Sequence, residues 1–312
     1  MNILYWFYFA IPSFRPLGLL GKGIDRFLSS ALKFVLDITI PVYYRITFNK
    51  AGYGLNKQPR DKRYIVSLTS FPGRINNIWI TLETIMRQSF KPDKIILWLA
   101  EEQFPDKVLP ESLLCLKKRG LTIEFCEDLK SHKKYFFAMK NYPNEYLITL
   151  DDDLYYPRHV LKNVVNLSRK FPKYIVANRA HRITYKNREI LPYRKWNHNV
   201  TTTKPSHLLV ATGGAGVLYS PGTLHTDVFD KNLFKEICYH ADDLWLKVMA
   251  LKNGTPVVTN KRYNKDFVSV SSTQKTKLVS INVLSNGNDT QLKSLLSHYN
   301  LDLWAFLRNN KL

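Results

Sequence analysis

Tyr146-Leu147-Ile148-Thr149-Leu150-Asp151-Asp152-Asp153 is the stretch on which the reading of this chain turns. A short, mostly apolar run with β-branched members is what a buried strand requires. The three carboxylates that follow repel one another, and burying them without a cation is costly. Oxygen donors at the carboxyl end of a strand suit Mg²⁺ or Mn²⁺ beside a phosphate. Open α/β sheets bind their ligands at that same end. The competing reading is an acidic cap on a solvated turn, and the triplet alone does not choose between the two.

Working outward, Tyr64 to Ser70 predicts a strand that ends in the turn Phe71-Pro72-Gly73-Arg74. A helix is expected over Ile75 to Gln88, with Ile78, Leu82, Ile85 and Met86 on one face. Lys94 to Leu99 and Leu121 to Cys126 read as strands, separated by a helix from Pro110 to Arg119 that Gly120 closes. Tyr155-Tyr156-Pro157 is expected to start a further helix running to about Lys170, and Tyr174 to Ala177 a strand. Leu208 to Thr212 leads into Gly213-Gly214-Ala215-Gly216 and the strand Val217-Leu218-Tyr219. Small residues at such a point let backbone approach a ligand. Strands alternating with helices predict a mostly parallel sheet. The first strand-to-helix turn lacks the glycine fingerprint of a dinucleotide-binding enzyme.

The 312 residues suffice for one large domain and an appendage. A net charge of +21 favours polyanionic partners: nucleic acid, an anionic membrane or phosphorylated substrates. Residues 130–210 hold 16 Lys/Arg against five Asp/Glu, so the basic excess surrounds the triplet. Cys115, Cys126 and Cys238 lack metal-ligand spacing. Cys115 and Cys126 are expected in the core of a protein from a reducing compartment.

The apolar run Ile3 to Ile11 is too short to span a bilayer. Ile24, Phe27, Leu28, Ala31, Leu32 and Val35 then follow helical spacing, with Pro41 expected to end the segment. Residues 1–60 carry eight basic and two acidic side chains, which suits a helix on an anionic leaflet. Packing of the same helix against its own domain or a partner is the alternative. The organisation expected is a basic, apolar segment over residues 1–60 and a catalytic domain over 61–312, divided near residue 155 into nucleotide-binding and acceptor halves.

His240-Ala241-Asp242-Asp243-Leu244-Trp245-Leu246 completes the pattern, at the start of a helix continuing to about Lys252. Carboxylates in a first helical turn are also explained by the helix dipole. Taken with Ser67 to Arg74, Leu150 to Asp153 and Gly213 to Val217, in that order, the chain resembles the GT-A fold glycosyltransferases, in the broad family-2-like bacterial group, over about residues 62–300.

That resemblance implies a Rossmann-like α/β fold and a metal-dependent transfer of sugar from a nucleoside diphosphate, UDP favoured, to a lipid-linked or polysaccharide hydroxyl. It implies that Asp153 binds the divalent cation, with Asp151 and Asp152 at the ribose or completing the metal shell. Thr69, Ser70, Phe71, Pro72 and Arg74 would hold the nucleoside. Lys133 and Lys134 would meet the diphosphate, with Arg179 and His181 candidates for the same pocket. Asp243 would be the base, Asp242 its orienting neighbour, and Gly213, Gly214 and Trp245 would face the acceptor. His298, in some relatives a third ligand, is read as an ordinary helix end, and Asn288-Asp289 as an active-site edge or a cap. The expected setting is peripheral, at the cytoplasmic face of a bacterial plasma membrane, with no nucleic-acid partner. Two alternatives stay open at this point: a metal-dependent nuclease or phosphotransferase, and a non-enzymatic nucleic-acid-binding protein.

Overall fold

Apolar β-branched runs, each too short for a helix, alternate with amphipathic segments, and the chain folds accordingly. The structure, a computed structural model, describes residues 2–11, 14, 18–263, 265–270 and 287–309. Helices α1 (Asn2–Ala10) and α2 (Gly18–Ile46) come first. Then follow β1 (Tyr64–Thr69), α3 (Ile78–Met86), β2 (Lys94–Ala100), α4 (Glu111–Lys117), β3 (Leu121–Cys126), α5 (Lys133–Asn141) and β4 (Tyr146–Thr149). The second half runs through α6 (Val160–Lys170), β5 (Ile175–Ala177), β6 (Ala180–Arg182), β7 (Tyr185–Lys186), β8 (Glu189–Ile190), β9 (Leu209–Ala211) and β10 (Val217–Tyr219). It ends with α7 (Lys231–Ile237), α8 (Asp242–Lys252), β11 (Val257–Thr259), α9 (Gly287–His298) and α10 (Leu303–Asn309).

Seven strands form one sheet in the order β11-β5-β10-β4-β1-β2-β3. All neighbours are parallel except β10, which runs antiparallel to both β4 and β5. The expected mostly parallel α/β sheet is therefore present. Its strands are apolar on both faces because helices cover both. Ile65, Trp98 and Leu147 point into a layer with Tyr135 of α5, Trp245 of α8 and Leu295 of α9. Val66, Leu97 and Ile148 point the other way, onto Leu82 of α3, Leu116 of α4 and Leu161 of α6.

Two local expectations fail. Pro41 does not end the N-terminal helix but lies inside α2. Interior proline costs about 3 kcal/mol, and here Leu36, Ile40 and Tyr44, buried on either side of it, hold the turn in place. The helix after the triplet starts at Val160, not at Tyr155. The amides of Tyr155 and Tyr156 are already committed, to Val268 O at 2.9 Å and to Thr84 Oγ1 at 3.1 Å. Cys126 is buried as expected, whereas Cys115 sits half-buried on α4.

Residues before position 61 are packed into the rest of the chain. Tyr5, Tyr8, Leu36, Ile40 and Tyr44 share a buried cluster with Ile80, Tyr155, Val268 and Val270. A second tie is polar: Arg87 donates to Thr47 Oγ1 at 2.6 Å and to Thr47 O at 3.1 Å, and fully buried Glu83 of α3 holds Arg87 at 2.6 Å and also meets Arg119. Removing the acid leaves two guanidinium groups without their buried counter-charge, a change that costs about 3 kcal/mol or more. Glu83→Ala is expected to lower unfolding free energy by about that amount in a urea titration, and an unchanged midpoint would contradict this account.

Candidate active site

The sheet changes direction of winding between β1 and β4: the chain leaves β1 toward β2 and β3, then returns to place β4 on the other side. A crevice opens where the carboxyl ends of the two strands diverge. Ser67 and Thr149 are the last paired residues there, and Leu150 N continues the contact to Ser67 O at 3.1 Å. A cavity of about 970 Å³ lies beyond them.

Asp152 closes the floor. One of its oxygens accepts from Ser70 Oγ at 2.6 Å and the other from Arg74 at 2.5 Å. Burial pushes its carboxyl up, further than the Arg74 guanidinium and the Ser70 hydroxyl pull it down. Arg74 also reaches Asp153, 3.1 Å away. Asp152 therefore knits the end of β1 to the end of β4, with both oxygens engaged inside the protein. Asp151 and Asp153 remain at the cavity surface, their side chains 37% and 19% exposed.

Lys134, at the start of α5, is the hub of the opposite wall. Its ammonium lies 2.9 Å from Asp151 and 3.0 Å from Asp242, with only 6% of the side chain exposed. Burial alone would favour the neutral amine, but Asp151, Asp242 and Asp243 together hold it charged. The Asp242–Asp243 pair splits for the same reason. Burial raises both, yet Lys134 and His132 bring Asp242 below the usual carboxylate range. Asp243 is pushed up to about 7 by burial and by the charge of Asp242. Asp243 accepts the Gly213 amide at 3.0 Å, so its carboxylate is fixed in place.

The glycines leave room for these charged groups. A Cβ on Gly213 would stand 2.9 Å from both Asp243 Oδ1 and Lys134 Nζ, and one on Gly214 2.7 Å from Asp151 Oδ2. Buried Tyr156 fixes the same region: its hydroxyl accepts from Asp151 N at 2.8 Å and donates to Gly214 O at 2.9 Å.

Of the predicted residues, Thr69, Ser70, Phe71, Arg74, Lys133, Lys134, the Asp triplet, Arg179, Gly214, Asp242, Asp243 and Asn288 line this one cavity. Pro72 sits in the exposed turn outside it. Trp245 is a correction: it is fully buried, donating to Val228 O at 3.2 Å inside the core, because it lies on the inward face of α8. His181 is also turned away and accepts from Asn199 N at 3.1 Å. Lys133 pairs with Asp128. His298 ends α9 away from the cavity, as its sequence setting suggested. Asn288 and Asp289 occupy the first turn of α9, and Asp289 accepts from Tyr193 N at 2.6 Å.

Sequence reasoning missed Tyr156, Tyr193, Asp266 and Lys33. Asp266 holds Arg179 at 2.6 Å. Nothing in a lone aspartate or tyrosine flags such a role without the fold.

Among the described residues the cavity wall carries six Lys/Arg and seven Asp, and is less basic than the surrounding sequence. An incoming diphosphate would thus need to bring charge compensation with it. Among the described residues no three His, Cys, Asp or Glu gather as a ready-made metal site. Asp151 and Asp153 present hard oxygens to the cavity, and Mg²⁺ is commonly held by one or two carboxylates with phosphate and water supplying the rest. The donor set fits a cation of that kind arriving with a phosphorylated ligand.

No family model and no curated protein matches the chain. Solved structures similar to it include a mannosyltransferase, PcManGT from Pyrobaculum calidifontis, in complex with GDP-Man and Mn²⁺. It is 14% identical with a TM-score of 0.46, and the match covers 86% of this chain and 74% of that one. S. aureus TarS 1–349 is 13% identical at a TM-score of 0.39, covering 64% and 59%. Its complex with UDP-GlcNAc is 13% identical at 0.40, covering 64% and 56%, so the chain spans less than two thirds of either TarS structure. At these identities and scores nothing of their chemistry passes to this chain.

Lys134→Met removes the charge that keeps Asp151, Asp242 and Asp243 tolerable. Asp242 is depressed in the folded state, so its stabilising contribution is full above the ordinary carboxylate pKa and is lost only as pH falls below it. Without the ammonium, burial instead raises Asp242, and the variant relieves its buried charge by taking up a proton in mild acid. The variant is expected to lose about 3 kcal/mol at pH 8 and measurably less at pH 4, read by denaturant unfolding at both pH values. An equal loss at both would show that Lys134 acts through packing alone.

Proposed function

We propose that this protein is a glycosyltransferase that moves a sugar from a nucleoside diphosphate to a hydroxyl acceptor. The observation that carries the reading is the division of labour among four carboxylates in one cavity. Asp151 and Asp153 face the cavity from the strand end, while Asp243, on the opposite wall, has a proton affinity near neutrality, about 7. Two roles with two different charge requirements are met within a single crevice.

In this reading Asp243 accepts the proton of the acceptor hydroxyl as that oxygen bonds to the sugar's anomeric carbon. The bond from that carbon to the phosphate oxygen breaks, and its electron pair leaves with the nucleoside diphosphate. Asp242 stays ionised beside Lys134 and raises the basicity of its neighbour. Asp152, tied to Ser70 and Arg74, positions the strand end. Thr69, Ser70, Phe71 and Arg74 border the nucleoside, and Arg179 with Lys134 meets the diphosphate. Asp151 and Asp153 would hold a divalent cation, Mn²⁺ or Mg²⁺, which when bound neutralises charge building on the departing diphosphate. A UDP-sugar donor and a glycan or lipid-linked acceptor in cell-surface glycan synthesis complete the reading, as does a peripheral position on the cytoplasmic side of a bacterial plasma membrane.

Calorimetry with UDP, GDP and their sugars, each with Mn²⁺ and with EDTA, tests it. Binding is expected with the cation, to be lost in Asp153→Ala, and to survive in Asp243→Asn, which should transfer no sugar. A folded chain that binds no nucleotide sinks the reading. The base must be ionised, so kcat/KM is expected to rise with pH through a midpoint near 7, where the Asp243 carboxyl titrates. A flat profile from pH 5 to 8 (about three units around that midpoint) would remove Asp243 from the role.

A further inference from the structure

Helix α2 has two faces of opposite use. Leu36, Ile40 and Tyr44 are buried against the body of the protein, and Asp37 accepts from Tyr155 OH at 2.8 Å. On the outer face Leu20, Phe27, Phe34, Ile38 and Ile46 recur at spacings of seven, seven, four and eight, which aligns them in one stripe. They are 73%, 73%, 68%, 51% and 73% exposed. An apolar stripe left this exposed, with no partner among the described residues, is rare on a soluble monomer and marks a contact surface.

What covers the stripe follows from charge and position. The chain is strongly basic, and Lys22, Arg26 and Lys33 stand exposed on α2 itself. α2 is the one helix among the described residues long and apolar enough to cross a bilayer. Yet Leu36, Ile40 and Tyr44 are packed on the body of the protein, and the side away from the stripe also carries Asp25, Arg26, Lys33 and Asp37, so the helix cannot be surrounded by hydrocarbon. A helix apolar along one side and charged along the other rests in the headgroup layer. Lys33, on the same helix, lines the 970 Å³ cavity described above.

We propose that α2 lies in the headgroup layer of an anionic bilayer, with its outer stripe immersed and its Lys33 side joining the cavity to the lipid surface. This rests on the glycosyl-transfer reading in one respect: the acceptor side of that site then faces a membrane, which is where a lipid-carried hydroxyl would be met. The docking itself depends on no catalytic step.

Flotation of the full chain with phosphatidylcholine vesicles, with and without phosphatidylglycerol, tests the proposal. The expected result is binding to the anionic vesicles, weakened by high salt and by Phe27→Ser/Phe34→Ser/Ile38→Ser by roughly tenfold or more. The three side chains are exposed, so the triple variant should keep its thermal midpoint and its nucleotide binding. Failure of the folded wild type to float, or equal flotation of the triple variant, overturns the proposal. So does a concentration-dependent dimer that the triple variant abolishes, since the stripe would then serve a second copy. A chain that floats but binds no nucleotide keeps the membrane surface and discards the transferase reading; one that binds nucleotide but does not float does the reverse.

Discussion

The ammonium of Lys134 sits where water scarcely reaches, with one carboxylate from the turn after β4 on one side and one from the first turn of α8 on the other. A charge in such a place is tolerated because its partners are close and are themselves unable to leave. The consequence spreads well beyond the pair. The start of α5, the end of β4 and the start of α8 are separate in sequence, and this contact sets their distances to one another. Gly213 and Gly214 are small because any side chain there would strike the same group of atoms. The unequal proton affinities of Asp242 and Asp243 follow from which of them the lysine touches.

Much of the sheet was legible because its signal is local. β3 and β10 have the bounds that their apolar runs predict, and β1, β2 and β4 differ by a residue at an end. The cavity wall was legible for a related reason: Asp151, Asp243 and Gly214 stand at element ends, where backbone changes direction and side chains face open space. Trp245 was misread because its neighbour Asp243 faces the cavity, and two residues along a helix turn the side chain through about 200°, to the opposite face. The antiparallel sense of β10 was also out of reach, since strand direction depends on where the preceding loop travels.

Tyrosine hydroxyls were the least visible contributors. Tyr156 spans the Asp triplet and the glycine turn with one oxygen, and the hydroxyl of Tyr155 beside it donates to Asp37 of α2. In sequence the two read as a helix start with bulky residues. Their role comes from long-range geometry, with partners 58 and 118 positions away. The same holds for Asp266, whose carboxylate aligns Arg179 while its carbonyl receives the hydroxyl of Tyr8.

That last contact has a practical corollary. Tyr8 bonds to Asp266 O, Lys265 reaches back to Ile11 O, and Val270 N holds Asp153 O at 2.8 Å. Helices α1 and α2 are thus stitched through residues 265–270 to the acidic turn itself. A shortened expression product beginning near position 61, the natural choice for anyone seeking a better-behaved protein, would strip the cover from Tyr155, Val268 and Val270. The part trimmed away as an appendage is a brace for the chemistry, so solubility is better sought by altering the outer stripe than by cutting the chain.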